Sequence, residues 1–114
     1  MTDRRLPAKV EVSGLVRQIE SDGGFATILH KGDADGGALL LIVSSRGRHV
    51  TCLERILGVG GGYEWRHSGP TESPGSIDLQ SFLAKRTQFD PDLWVVEVDI
   101  AEPERFIAET TASG

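Results

Sequence analysis

Leu39-Leu40-Leu41-Ile42-Val43 is apolar without a break and runs into Ser44. A strand with one face in water alternates apolar and polar residues, because successive side chains point to opposite faces. An unbroken run of this length reads as a strand covered on both faces. Turn chemistry flanks it on both sides. Before it stands Gly32-Asp33-Ala34-Asp35-Gly36-Gly37, in which Asp can bond its own backbone and Gly accepts positive φ. After it, Ser45-Arg46-Gly47-Arg48 forms a second turn and His49 to Leu57 a further strand.

Working outward, Phe25 to Lys31 reads as the preceding strand, and Tyr63 to His67 as a short one beyond the flexible link Gly58–Gly62. Near the N-terminus, Pro7 suits the first position of a helix. Ala8, Val12, Leu15, Val16 and Ile19 then recur at one-sided helical spacing, until Asp22-Gly23-Gly24 ends the helix. Ser68 to Gly75, with two prolines, reads as a loop, and Ser76 as the cap of a second helix. Leu79, Phe82, Leu83, Arg86 and Phe89 mark the inner face of that helix, and Asp90-Pro91-Asp92 stops it. Leu93 to Val96 continues into Glu97 to Ile100, where Val96, Val98 and Ile100 alternate with Glu97 and Asp99, the pattern of a final strand. Phe106 and Ile107 anchor a short helix or extended tail.

Short links between successive strands favour antiparallel pairing. The expectation is an α+β fold: a mainly antiparallel sheet of about five strands, with two helices packed on one face. One domain spans residues 1–114, with an ordered core over about 6–109.

Twelve Lys and Arg against seventeen Asp and Glu give a net charge of −5, which disfavours general binding to a phosphate backbone. The longest apolar run, Ala38 to Val43, is too short to span a bilayer. The two N-terminal arginines are followed by no apolar stretch of the kind a signal peptide needs. Cys52 is the single cysteine, so no intrachain disulfide can form, and it reads as a buried reduced thiol. These features point to the cytoplasm.

Several segments carry a resemblance: Arg5-Leu6-Pro7, Gly23-Gly24-Phe25, His30-Lys31-Gly32-Asp33, Gly37-Ala38-Leu39-Leu40, and Arg86 to Glu97 with Phe89-Asp90-Pro91-Asp92-Leu93-Trp94 at its centre. Over about Leu6 to Glu109 the chain resembles a group of small alphaproteobacterial proteins, domain of unknown function 1491. The ending Glu104 to Ser113 is similar to the sphingomonad branch of that group, which implies a bacterial source. The resemblance brings no activity, cofactor or catalytic residue with it.

Two pairs of acids stand at turns, Asp33 with Asp35 and Asp90 with Asp92. Carboxylates two apart can share a hard cation, so a metal-dependent hydrolase is one reading of them. Asx bonds and a pre-set proline φ explain the same residues as plain turns. His30, His49 and His67 fall on or beside three different strands and lack zinc-ligand spacing. The Gly58–Gly62 run leads into a strand, whereas a phosphate loop opens a helix. Trp94, beside Asp92 and Arg86, reads as a core aromatic closing the helix–strand corner or as part of a recognition patch, where Trp, Arg and Tyr concentrate. Tyr63 and Trp65, on one face of a short strand, raise the same question. The resulting expectation is a non-catalytic binding or accessory protein, without a cofactor, meeting a second copy or a protein partner through an edge strand.

Overall fold

The structure, a computed structural model, describes residues 7–57, 60, 62–70 and 76–112. Most of the Gly58–Gly62 run, the loop residues 71–75 and the capping side chain of Ser76 lie outside these. Helix α1 (Ala8–Ser21) is followed by strands β1 (Phe25–His30), β2 (Leu39–Ser45), β3 (Arg48–Leu57) and β4 (Tyr63–His67). Helix α2 (Ser76–Phe89), strand β5 (Trp94–Asp99) and helix α3 (Pro103–Ala112) complete the chain. The five strands form one sheet in the order β1-β5-β2-β3-β4. All neighbours are antiparallel except β2 and β5, which run parallel, so the sheet is mixed. The α+β class and the predominance of antiparallel pairing therefore hold.

The helices are placed differently from the expectation. Ala8, Val12 and Ile19 of α1 share a core with Leu39, Leu41, Val43, Leu53, Trp94, Val96 and Val98, and Phe106 and Ile107 of α3 pack on it. Leu79, Phe82 and Leu83 of α2 pack on the opposite side, against Leu40, Ile42, Cys52, Leu93 and Val95. The two expected helices thus lie on opposite faces, and α3 joins α1. The apolar run of β2 has its cause here. Its alternate residues feed two separate cores, and Leu39 to Val43 are each 2% exposed or less.

Local chemistry sets the helix ends. Gly23, at φ 91°, lets α1 close with a Schellman pair: the N–H of Gly24 donates to the Ile19 carbonyl, and that of Gly23 to the Glu20 carbonyl. At its other end, the free N–H groups of Ala8 and Lys9 donate to the carbonyls of Asp35 and Ala34. The β2–β3 hairpin turns through Arg46 and Gly47, both at positive φ, and their N–H groups donate to the Asp99 carboxylate at 2.9 Å each. Phe89, expected on the inner face of α2, is instead 83% exposed at its end.

Candidate functional site

The two aspartate turns meet, through their backbones. The Asp33 N–H donates to the Asp92 carbonyl at 3.1 Å, and the Trp94 indole Nε1–H donates to the Asp33 carbonyl at 2.7 Å. Gly32 and Gly37 lie against the same Asp92 carbonyl so closely that a Cβ on either would overlap it. The carboxylates serve their own turns. Asp33 accepts from the N–H groups of Asp35 and Gly36, and Asp90 from that of Asp92. Asp35 and Asp92 are exposed. Among the described residues no three His, Cys, Asp or Glu side chains form a group able to hold a metal ion. Each histidine has a protein partner. His30 Nδ1–H donates to the Leu93 carbonyl and His49 Nε2–H to the Pro70 carbonyl, while His67 Nδ1 lies 3.0 Å from the Thr51 hydroxyl.

The four residues proposed as one recognition patch are divided among three places. Trp94 is 2% exposed and belongs to the α1-side core, which fits its reading as a core aromatic and takes it out of any surface patch. Arg86 lies on the α2 side, where its two terminal nitrogens donate to the two oxygens of Glu54 at 2.9 and 2.7 Å. That bidentate bond from Arg86 holds the Glu54 carboxyl below its ordinary range, against the opposing effect of partial burial. Nearby, burial pushes the Cys52 thiol up to about 12, so it is no ready nucleophile. Tyr63 and Trp65 remain together on the α1 side of β4. The Arg55 guanidinium stacks 4.2 Å from the Tyr63 ring centre and pairs with Glu11 of α1 at 2.8 Å.

Both sheet edges are now defined. β4 is an edge, the condition on which Tyr63 and Trp65 could meet a partner segment, and it carries Glu64 and Arg66. The other edge, β1, went unnoticed in the sequence. Its six residues, Phe25-Ala26-Thr27-Ile28-Leu29-His30, include no Asp, Glu, Lys, Arg, Pro or Gly. Phe25 is 73% exposed, Ile28 44% and Leu29 49%. The register shifts between Ile28 and His30, so Leu29 sits at a bulge. The absence of charge in this segment was the signal available beforehand.

A model of the family described as a protein of unknown function, DUF1491, matches residues 6–108. The chain belongs to the DUF1491 family. A crystal structure of a DUF1491 protein from Caulobacter crescentus is 29% identical, with a TM-score of 0.75 over 84% of this chain and 89% of that one. An NMR structure of a DUF1491 protein from the same organism is 30% identical, with a TM-score of 0.74 over 89% and 91%. A protein from A. tumefaciens solved in solution is 25% identical, with a TM-score of 0.71 over 87% and 89%. Among curated proteins nothing matches. Family membership thus carries the fold, and no activity comes with it. No described helix of this DUF1491 chain is long and apolar enough to cross a membrane.

Proposed function

We propose that this chain is a non-catalytic binding protein of the bacterial cytoplasm that associates with a second copy of itself through β1. One observation carries the reading: an edge strand of β-prone residues without a single charge, bearing Phe25, Ile28 and Leu29 in solvent. Edge strands are ordinarily protected by charges, proline, bulges or shortness, because their outer backbone groups template further pairing. The opposite edge carries the charges of Glu64 and Arg66 on β4, whereas β1 has only the bulge at Leu29, and Phe25 to Ile28 keep regular register. A neutral strand is also self-complementary. Pairing two copies antiparallel about a twofold axis sets no like charges opposite each other. A single six-residue strand buries less than a standard interface, so the dimer is weak, with a dissociation constant in about the micromolar range.

Sedimentation equilibrium tests this. The parent chain is expected to shift from monomer to dimer with concentration. Ile28→Lys, which adds a charge at an exposed position, is expected to remain monomeric with an unchanged melting temperature. A parent that stays monomeric up to millimolar concentration, or an Ile28→Lys variant that dimerises equally well, overturns the proposal.

A further inference from the structure

A second surface, between α1 and the sheet edge opposite β1, has a different chemistry. Between α1 and the β3–β4 end of the sheet runs an open groove of about 660 Å³, bounded by Val10, Gly14 and Arg17 of α1 and by Arg55 and Trp65. Arg55 is committed, held by Glu11 and stacked on Tyr63, and so forms a rigid floor beside the indole. Lys9 and Arg17, at the two ends of the helical wall, are exposed and have no ion-pair partner among the described residues. In a chain of net charge −5, this is a basic, aromatic-floored groove on an acidic molecule. Gly14 adds an independent sign. It stands in mid-helix, where glycine is unfavourable, yet a Cβ there would meet nothing within 4 Å. No packing within the chain requires it, and it leaves the groove wall low.

We infer that this groove docks an extended acidic segment of a partner protein, with one apolar side chain seated against Trp65. Charge complementarity selects the occupant, and the helix sets the spacing. Lys9 and Arg17 are eight residues apart, about 12 Å along the axis and about 80° around it. An extended peptide advances about 3.3 Å per residue and returns to the same side every second residue. Acid, any residue, apolar, any residue, acid therefore places two carboxylates near the two cations and an apolar side chain between them.

The probe is acetyl-Ser-Glu-Ser-Leu-Ser-Glu-Ser-amide, with its Phe and Trp counterparts in the Leu position, followed by backbone amide shifts in NMR. Saturable shifts are expected along α1 and around Trp65, weakening as salt is raised. The charge-reversed Lys-Ser-Leu-Ser-Lys peptide is expected not to bind. The double variant Lys9→Glu/Arg17→Glu is expected to weaken binding by at least about tenfold. Gly14→Leu is expected to do the same by filling the groove, whereas Gly14→Ala, the folding control, retains binding. Ile28→Lys should bind like the parent, which separates this surface from the β1 edge. Absence of saturation by all three peptides at millimolar concentration overturns the inference, as does binding that is indifferent to the charge reversals.

Discussion

A methyl group added at Gly37 would overlap the Asp92 carbonyl oxygen and come within 2.9 Å of Cδ1 of Trp94. Both obstacles are fixed, the first by the Asp33 N–H bond and the second by burial and the indole bond to Asp33. Backbone and a buried indole cannot step aside as a flexible chain end would, so Gly37→Ala is expected to cost more than about 2 kcal/mol in urea denaturation. A second residue-scale prediction concerns Glu54, whose carboxyl lies below its ordinary value of 4.5 chiefly because Arg86 donates to it. Below that value the unfolded chain takes up a proton that the folded one resists, so this contribution is present at neutral pH and fades as pH falls. Glu54→Gln is expected to lose about 1–2 kcal/mol at neutral pH, with the gap between variant and parent closing in acid. The same bond to Glu54 raises Arg86 above its already high ordinary value, so its loss would come only in strong alkali. These networks were only half legible in the sequence. The turn-forming role of Asp33 and Asp90 follows from local chemistry, but the Glu54–Arg86 bond joins residues 32 apart and has no local signature.

Among the elements, α1 shows how periodicity becomes packing. The apolar positions read from its spacing, Ala8, Val12, Leu15, Val16 and Ile19, are the ones that pack on the sheet. Gly14 falls off that stripe and its substitution meets no neighbour, so Gly14→Ala is expected to stabilise the protein by about 1 kcal/mol through helix propensity alone. Thermal denaturation would show this as a rise of several degrees, and a lowered melting temperature would mean that Gly14 has a packing role absent from this structure. Spacing tells which residues of a helix point inward, but not which face of the sheet receives them. That is why α1 and α2 were expected together and lie apart. The uninterrupted run of β2 already held the correction, because one-sided cover would have left alternate residues of Leu39 to Val43 in water. The exposure of Phe89 has a similar origin, since helical spacing runs to the last residue of α2 while the packed positions are Leu79, Phe82 and Leu83.

Over the whole molecule, the least legible feature is the insertion of β5 between β1 and β2. Gly32–Gly37 reads as a turn between neighbours, yet the link from Lys31 to Ala38 is long enough to step over a strand about 5 Å wide. What holds it there is spread along the chain: α1 takes its carbonyls, and β5 supplies Trp94. Such a sheet joins distant segments, so its middle strands should open only when the whole molecule does. Cys52 reports on this directly. It lies on β3 at 0% exposure, between β2 and β4, with its thiol pushed up to about 12 by burial. Labelling with a disulfide reagent in native buffer is expected to proceed only through global unfolding. Under conditions where reclosing outpaces labelling, its rate should rise with urea along the slope of the equilibrium transition. Because this face of β3 packs under α2, the competing outcome is specific. Fast labelling with little urea dependence would show that α2, with Leu79, Phe82 and Leu83, lifts away locally, and the molecule would then be two cooperative units joined by the Glu54–Arg86 pair.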